Sequence, residues 1–413
     1  MNPDARGRDA VFDRETAVGL DSTDPLAPFR DEFVIDDDLV YLDGNSLGRL
    51  PKRTVGAVNR VMEDWGSGLV LSWNHWLGFG LELGDRLAPL IGAAPDTVAL
   101  CDQTSVNLYK LASAAIDGGD RRDIVTDRGN FPSDRYILDT VARAGGGSLR
   151  MVSEDPNAAE FAAALDGDVA LVALSHVSYR SGAILDMSGI TAAVHSAGAL
   201  VLWDLSHSAG SVPVTLEDAR ADLAVGCTYK YLNGGPGAPA FLYVRPDHQA
   251  RLRQPIEGWF AHADQFGFHP DFEPAAGVRR FTVGTPPILS MTAAGEGIAL
   301  TAEAGIAAIR DKSVALTTAF LTAIGDVAEI ASPLEADRRG SHITVRHRDA
   351  WKLCQALRDA RVIVDFRAPD LIRFGFAPLY TSFEEAWRAA AIFRDILETE
   401  TFQDYPEDRA PVT

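Results

Sequence analysis

Short apolar runs alternate with helical patterns between residues 98 and 244, and this alternation constrains the fold more than any other feature of the chain. The runs cover residues 98–101, 123–126, 148–152, 169–174, 199–203, 222–227 and 238–244. Runs of this length, bounded by turn signals, are typical of buried strands in a parallel sheet. The pattern predicts an α/β fold with a seven-stranded, mostly parallel sheet covered by helices on both faces. Only a glycine-rich turn separates Lys230 from the last run, so this run is a candidate for antiparallel pairing.

The remainder of the chain predicts a smaller α+β unit. Residues 246–288 lack clear periodicity, which is typical of a functional or interface segment. Helical patterns then cover residues 291–310, 312–324, 350–360 and 384–398, and short apolar runs cover 343–346, 362–366 and 371–374. We predict a large domain over residues 50–287, and a small domain in which residues 1–49 pack with residues 288–413.

Charge and cysteine content exclude several classes of protein. A formal net charge of -20 argues against a nucleic-acid surface, which requires a basic stripe, and equally against an anionic membrane face. The cysteines, Cys101, Cys227 and Cys354, have neither metal-ligand nor disulfide spacing. Residues 1–20 lack an apolar signal core, and no apolar run approaches the ~18 residues that span a bilayer. These observations predict a cytoplasmic protein without a metal site.

An acid and a lysine follow two of the predicted strands. Asp204 ends the run at 199–203 and Lys230 follows the run at 222–227. The carboxyl ends of parallel strands build the site in an open α/β sheet. Pyridoxal phosphate needs an amine for its aldehyde and an anion beside its ring nitrogen, which this pair would supply. Lysine occurs at only five positions here, and only lysine can form the Schiff base. The alternatives are a surface lysine and a carboxylate that caps a strand end.

Other residues near these strand ends are candidates for the same site. His207 could bond Asp204, reach the phosphate, or be structural. Thr104 and Ser105 begin a predicted helix, where backbone N–H groups and hydroxyls suit a phosphate, although every helix also needs a cap. In the segment 131–134, Phe131 is placed to stack on a flat ring and Asp134 to cap the following helix. Two further candidates lie in the turn at 43–48, where Asn45 and Ser46 either bind a ligand or shape the turn.

A glycine- and aromatic-rich stretch at residues 66–80 is predicted to be an irregular loop. Its aromatic side chains either pack over the domain core or line a pocket for a flat substrate.

These segments together resemble the kynureninases, fold-type-I pyridoxal-phosphate enzymes related to class V aminotransferases. The resemblance rests on YLDGNSLG (41–48), FPSD (131–134), WDLSHSAG (203–210), TYKYLNGGPG (228–237), EGWF (257–260), VGTPPIL (283–289), IR (372–373) and APLY (377–380). The matching segments occur in order from about residue 38 to residue 385 of the chain.

The resemblance implies a role for each matching residue. Lys230 would hold the cofactor, Asp204 would pair with its ring nitrogen and Tyr229 is the candidate for proton transfer at the substrate's γ-carbonyl. The residues implied around ring and phosphate are Thr104, Ser105, Phe131, Asp134, Ser175, His207 and Tyr229. Trp259 and Thr285 would complete the phosphate site from a second subunit, which implies a homodimer with shared active sites. Arg373, with Asn45 and Ser46 nearby, would bind the substrate's α-carboxylate.

The implied reaction is hydrolysis of the Cβ–Cγ bond of L-kynurenine to anthranilate and L-alanine, a step of tryptophan catabolism and NAD biosynthesis. Thr285 favours kynurenine over 3-hydroxykynurenine, because asparagine stands there in some relatives that act on the hydroxylated substrate. The alternatives are a cysteine desulfurase, a transaminase and a binding module without cofactor. No cysteine lies on a predicted late loop, which disfavours the desulfurase, and the pairing of Asp204 with Lys230 disfavours the binding module.

Overall fold

The computed structural model describes residues 12–408, which form two compact units. The large unit comprises residues 50–179 and 184–303, and the described part of the small unit comprises residues 12–49, 180–183 and 304–408. The C-terminal division therefore falls near the end of a helix rather than at the predicted position before it. This helix belongs with the large unit because Gly297 lies against the backbone of Leu232, where a Cβ would clash.

The helices lie at the following positions: α1 (Arg14–Thr23), α2 (Lys52–Gly68), α3 (Trp73–Trp76), α4 (Phe79–Leu87), α5 (Thr104–Ile116), α6 (Pro132–Ala144), α7 (Ala158–Ala164), α8 (Met187–Ser196), α9 (Pro246–Gln249), α10 (Ile288–Ala304), α11 (Ile306–Ile324), α12 (Ala350–Asp359) and α13 (Phe383–Thr399). The strands are β1 (Val40–Tyr41), β2 (Val98–Leu100), β3 (Asp123–Asp127), β4 (Leu149–Val152), β5 (Val169–Ser175), β6 (Leu200–Asp204), β7 (Leu223–Cys227), β8 (Ala240–Val244), β9 (Glu329–Ile330), β10 (His342–Arg346), β11 (Val362–Ile363), β12 (Asp365–Arg367) and β13 (Leu371–Gly375).

The large unit is built on a seven-stranded sheet with the order β2-β8-β7-β6-β5-β3-β4. Strand β8 is antiparallel to both β2 and β7, and the other neighbours are parallel. The predicted fold class and the antiparallel last strand are thus confirmed. The connection from β7 to β8, residues 228–239, contains no helix, which is consistent with the antiparallel pairing because a parallel return usually crosses over through a helix.

Alternating side chains of the central strands enter two separate cores, one on each face of the sheet. Leu171 and Leu202 pack in the core that contains α5 and α6, whereas Val172 and Trp203 pack in the core that contains α8. Both faces are therefore apolar, which is why these strands appear in the sequence as continuous apolar runs. Each fully buried Leu or Val stabilises the fold by roughly 1.5–3 kcal/mol. The functional side chains follow at the carboxyl ends of these rigid strands.

The small unit contains an antiparallel sheet with the order β12-β13-β10-β9, and a separate parallel pair of β1 and β11. Its core lies between this sheet and the helices α11, α12 and α13. The N-terminal segment packs with the C-terminal part, since the Asp21 carboxylate accepts hydrogen bonds from the backbone N–H groups of Phe383 (2.7 Å) and Glu384 (2.9 Å) at the start of α13.

Three local predictions differ from the structure. The predicted helix at 291–310 ends six residues earlier, because Gly305 adopts a φ of 77° and separates α10 from α11. The predicted strand at 362–366 is two strands, β11 and β12, which pair in different sheets. The stretch at 66–80 is largely helical rather than an irregular loop, since α2 continues to Gly68 and α3 and α4 follow closely.

Within residues 12–408, no helix combines the length and the apolar character needed to cross a membrane.

Candidate active site

Lys230 lies just beyond strand β7 in the large unit, and its amine is held among polar and aromatic groups. Its Nζ is 2.9 Å from Nε2 of the buried His207, and it lies 6.0 Å from the ring centre of Phe131 and 5.9 Å from that of Tyr229. The contact with His207 was not among the partners that the sequence suggested for this histidine. The half-buried amine is thus fixed by neighbours and is not an ordinary solvated surface lysine.

Two carboxylates, Asp204 and Asp134, lie together at the same edge of the sheet. Asp204 ends β6, and its Oδ1 accepts a hydrogen bond from the backbone N–H of Ser206 at 2.7 Å. Burial first, and the adjacent Asp204 carboxylate second, raise the pKa of Asp134 well above its ordinary value. The pair therefore shares negative charge in a buried place. A cation or a proton donor is the complement that such a pair requires.

A hydrogen-bonded asparagine that the sequence analysis did not single out fixes the residues around Lys230. Asn130 Oδ1 accepts from the Phe131 backbone N–H at 2.7 Å and from Ser175 Oγ at 2.9 Å. Ser175 ends β5 directly beside Asp204, its register partner in β6. Asn130 thus ties the loop after β3 to the ends of β5 and β6. Its position immediately before the 131–134 segment was the available sequence signal.

Below the site, His176 is a second feature that was missed. It lies edge-on to Trp203 with ring centres 6.1 Å apart, and its Nδ1 is 2.9 Å from Ser208 Oγ. Burial lowers its pKa to about 4, so the ring is neutral at physiological pH. A neutral ring packed under the strand ends supports the site without adding charge to it.

Tyr229 precedes Lys230 and is half-buried. The neighbouring Cys227 thiol, then burial, then the Asp204 carboxylate raise the pKa of Tyr229 above its ordinary value. Its hydroxyl therefore carries its proton throughout the physiological range, and it can act as a donor.

Helix α5 begins at Thr104, and Ser105 is exposed in its first turn. The N-cap residue, Gln103, makes no side-chain hydrogen bond to this turn. The predicted capping role of Thr104 and Ser105 is therefore not what the structure shows, because both residues lie inside the helix. The first-turn N–H groups of a 13-residue helix are suited to bind an anion.

Trp259 and Thr285 lie in the large unit, in segments with exposed surfaces. Trp259 stacks on Phe268 with ring centres 6.0 Å apart, and its side chain also packs edge-on against Phe266. Thr285 is exposed and borders an apolar groove of about 570 Å³. The groove is lined by Val61, Trp65, Leu69, Val70, Trp73, Trp76 and residues 285–290.

The small unit holds a second cluster of functional candidates, centred on Arg373 of β13. Its guanidinium is 1% exposed and donates from Nε to Asp365 Oδ1 at 2.7 Å, while Nη2 contacts Asp365 Oδ2. Arg373 is thus not an exposed strand-end residue. The Nη2 group also donates to Ser46 Oγ at 3.0 Å. With the Asn45 amide oxygen turned toward Arg373, that oxygen accepts from Nε at 3.2 Å and from Nη2 at 3.0 Å.

The turn at 43–48 is closed by its own backbone hydrogen bonds and also contacts Arg373. Backbone N–H groups of Ser46 and Leu47 bond the carbonyl of Asp43 at 3.0 and 3.1 Å, which closes the turn. At the same time Asn45 and Ser46 contact Arg373. The backbone of Gly375 passes so close to the Asn45 side chain that any Cβ there would clash. The turn-shaping role is thus seen in the structure, whereas ligand binding by Asn45 and Ser46 stays a prediction.

Comparison with known proteins places these residues in a family. A family model described as "Kynureninase C-terminal domain" matches residues 309–393. The chain is 45% identical over 416 aligned residues to a protein named Kynureninase from Burkholderia mallei (strain SAVP1), covering 97% of this chain and 99% of that protein. The chain belongs to the kynureninase family.

Solved structures with low sequence identity share the fold. An apo cysteine desulfurase from Thermococcus onnurineus NA1 matches with a TM-score of 0.79 and 18% identity, covering 90% of this chain and 98% of that one. A variant of the protein C-DES with glycine covalently linked to its PLP cofactor matches with a TM-score of 0.78 and 18% identity, covering 92% and 99%. These similarities establish the fold-type-I architecture.

The residues of the large unit fit pyridoxal phosphate. The buried carboxylates of Asp204 and Asp134 are suited to pair with a protonated pyridine nitrogen, and the amine of Lys230 lies beside an aromatic face. The first turn of α5 provides N–H groups for a phosphate. Gly210 has a φ of +78°, and a Cβ there would lie 2.9 Å from Leu232, so glycine permits the close turn beneath the site.

Proposed function

We propose that the protein is a pyridoxal-phosphate-dependent hydrolase that cleaves the Cβ–Cγ bond of L-kynurenine to give anthranilate and L-alanine, in the cytoplasm. The observation that carries the proposal is the position of Lys230 at the carboxyl end of β7, flanked by aromatic rings and beside His207, with Asp204 at the end of the adjacent strand. An amine and an acid on neighbouring strand ends are what this cofactor requires.

The proposed roles follow from the chemistry of each group. Bound pyridoxal phosphate supplies an electron sink for negative charge at the substrate's Cα. Asp204 would pair with the ring nitrogen and, together with the neighbouring Asp134, would hold it in place. Phe131 stacks on the ring, while Thr104, Ser105, Ser175, His207 and Tyr229 surround ring and phosphate. Lys230 would bear the cofactor, and its amine would act as the base that removes the Cα proton and as the acid that later returns a proton.

Tyr229 is proposed to donate a proton at the γ-carbonyl of the substrate. This role needs a hydroxyl that remains protonated at physiological pH, and the raised pKa of Tyr229 meets that need. Water then adds to the γ-carbonyl carbon, and the Cβ–Cγ bond breaks with its electron pair left on Cβ. Anthranilate leaves with the γ-carbon as its carboxylate, and Cβ takes up a proton to complete L-alanine.

Arg373 is proposed to bind the α-carboxylate, with Asn45 and Ser46 beside it. Its Nε and Nη2 groups donate to Asp365, and Nη2 also donates to Ser46, so a substrate carboxylate would pair on the Nη1 side of the guanidinium. A charged guanidinium forms strong charge-assisted hydrogen bonds with a carboxylate.

The active enzyme is proposed to be a homodimer in which Trp259 and Thr285 act on the second subunit's site. The supporting observation is the exposed apolar surface of the large unit, where Leu69, Val70 and Leu71 are 62%, 75% and 70% exposed beside the groove that Thr285 borders. Contiguous exposed apolar surface of this kind is typical of an interface. Mixing Lys230→Ala and Trp259→Ala proteins should restore activity, because each subunit supplies what the other lacks. Two inactive variants that stay inactive when mixed would contradict the shared site.

The desulfurase alternative requires a reactive cysteine. All three cysteines of the chain are buried, and burial raises the pKa of each thiol. A buried thiol of raised pKa is a poor nucleophile because the thiolate is the reactive form. The structure therefore favours kynurenine hydrolysis over sulfur removal from cysteine.

The test is the appearance of anthranilate fluorescence when L-kynurenine is added to the purified protein with pyridoxal phosphate. L-cysteine serves as the competing substrate in a parallel assay for sulfide. Borohydride reduction followed by peptide mapping should place the cofactor on Lys230, and the Lys352→Ala protein provides a matched control that keeps the label. Formation of sulfide without anthranilate would contradict the proposal and favour a cysteine desulfurase. A label on another lysine would exclude Lys230 as the cofactor-bearing residue.

A further inference from the structure

Arg373 and Asp365 face each other across neighbouring strands of the small unit. They are register partners in the antiparallel pair of β12 and β13, and both side chains are almost fully buried, at 1% and 0% exposure. Their contact is side-on: Nε donates to Oδ1 at 2.7 Å, and Nη2 donates to Oδ2. Two parallel bonds between two planar groups fix both the plane and the rotation of the guanidinium.

Ser46 holds this arrangement from the turn at 43–48. Its hydroxyl donates to Asp365 Oδ2 at 2.6 Å and accepts from Arg373 Nη2 at 3.0 Å. The single hydroxyl proton is used on the carboxylate, and the oxygen lone pairs face the arginine, so both contacts are satisfied at once. The hydroxyl thus bridges the pair and adds a third constraint on the orientation of the guanidinium.

Asp365 also forms an ion pair with a second arginine, Arg367, whose Nη2 is 2.8 Å from Asp365 Oδ2. Although burial opposes ionisation, Arg373 lowers the pKa of Asp365 to about 2, so this carboxylate is charged throughout the physiological range. Two guanidinium groups and one carboxylate leave the trio of Asp365, Arg367 and Arg373 with a formal charge of +1. The carboxyl of Asp43, whose pKa burial and Asp365 raise to about 7, lies near the same three groups.

We propose that Asp365 is a positioning residue that fixes the plane and rotation of the Arg373 guanidinium, and thereby orients it for the substrate's carboxylate. The proposal rests on the proposed function and adds to it a residue that touches neither substrate nor cofactor. Its effect on substrate binding is exerted through the orientation of the Arg373 guanidinium.

The opposing view is that Asp365 only offsets the positive charge of Arg373 and competes with the substrate. The two views predict opposite changes for Asp365→Asn. Loss of a competitor would lower KM, whereas loss of the positioning bond should raise the KM for L-kynurenine about tenfold, with kcat changed by less than about twofold. A fall in KM would overturn the proposal.

The double variant Asp365→Asn with Arg367→Gln separates charge from orientation. It restores the formal charge of +1 at the cluster by removing the half-buried Arg367, so it also serves if the single variant unfolds. Positioning predicts that KM stays raised in the double variant. A return of KM to the wild-type value would show that charge balance alone matters, and would also overturn the proposal.

Asp370→Asn is the matched control, because Asp370 is a more exposed aspartate of the same unit that pairs with the exposed Arg346 at 3.4 Å. It should leave KM unchanged. A second measurement, independent of turnover, compares the binding of L-alanine and L-alaninamide to the holoenzyme through the cofactor's absorbance. Asp365→Asn should weaken the binding of L-alanine about tenfold and should hardly change the binding of L-alaninamide, since the amide has no carboxylate.

Equal weakening of L-alanine and L-alaninamide would overturn the positioning role. The binding measurement separates the positioning role of Asp365 from the proposed function of the protein. Absence of anthranilate with the wild-type protein counts against the proposed function, whereas the ratio of the two affinities tests Asp365 alone.

Discussion

Replacing Asp43 with asparagine tests the energetic cost of a buried carboxylate beside the Arg373 cluster. Asp43 begins the turn at 43–48, and its Oδ1 is buried without a hydrogen-bond partner among the described residues. Burial first, and the nearby Asp365 carboxylate second, raise the pKa of Asp43 to about 7. Ser46, Arg373 and Arg367 oppose this rise but do not cancel it.

The sign of the effect follows from the raised pKa. Between the ordinary value of 3.8 and about 7, Asp43 is protonated in the folded protein and ionised in the unfolded chain. The folded state binds more protons there, so the free energy of unfolding falls as pH rises and is constant above about pH 7. At 1.36 kcal/mol for each pKa unit, the interval corresponds to about 4 kcal/mol. Asparagine, which does not ionise, should stabilise the small unit by up to that amount above about pH 7.

The assay is thermal unfolding of wild-type and Asp43→Asn protein between about pH 4 and 8. For a unit of this size, 1 kcal/mol shifts Tm by roughly 2–4 °C, so the two curves should diverge by several degrees as pH rises. The contribution of Asp127, whose pKa is also raised to about 7, is common to both proteins and cancels in the difference. Asp37→Asn, at a side chain that is 91% exposed, is the control and should show no pH-dependent difference.

A Tm difference that is independent of pH would refute the reasoning, because it would mean that Asp43 ionises alike in the folded and unfolded states. If the Asp43→Asn protein instead lost stability relative to the wild type as pH rises, the pKa of Asp43 would be lowered in the folded state rather than raised.

Three further variants test other parts of the structure. Lys230→Ala should abolish anthranilate formation with an unchanged Tm, and retained turnover would exclude Lys230 as the cofactor-bearing residue. Arg373→Lys keeps the charge but loses the two-pronged hydrogen bond, so KM for L-kynurenine should rise about tenfold, and an unchanged KM would place the carboxylate elsewhere. Lys110→Ala removes a fully buried amine that bonds Asp102 at 2.6 Å and the Phe281 carbonyl at 2.7 Å, and should cost about 3 kcal/mol of stability. Thermal unfolding measures this loss against the exposed Lys52→Ala, and equal Tm values would show that the buried pair contributes nothing.

The strands of the large unit could be predicted because both of their faces are buried. Residues such as Leu171 and Val172 enter opposite cores, so the strand is apolar throughout and the pattern needs no knowledge of partners. Gly305 shows the limit of this approach. The helical periodicity continues across it, and only its backbone conformation, with a φ of 77°, ends α10 and starts α11. The stretch at 66–80 was misread for a related reason, since its glycines are tolerated within and between short helical turns.

Among the candidate site residues, some were indicated by the local sequence and others only by tertiary contacts. Lys230 and Asp204 were found because their types and their positions after apolar runs indicate chemistry. Asn130 and His176 were not found, because their importance lies in the hydrogen bond from Ser175 and the contact with Trp203. Such contacts depend on which strands become neighbours.

The sequence by itself determined the sheet, the order of its elements and the pairing of a lysine with an acid at strand ends, because these follow from local periodicity and residue chemistry. Only the tertiary structure decided that Arg373 is buried against Asp365, that Asp43 lies in the same charged cluster and that His207 reaches Lys230. Residues separated by more than 300 positions, such as Ser46 and Asp365, meet within 2.6 Å. No local pattern encodes such a contact, since its energy depends on burial and on charges brought from distant parts of the chain.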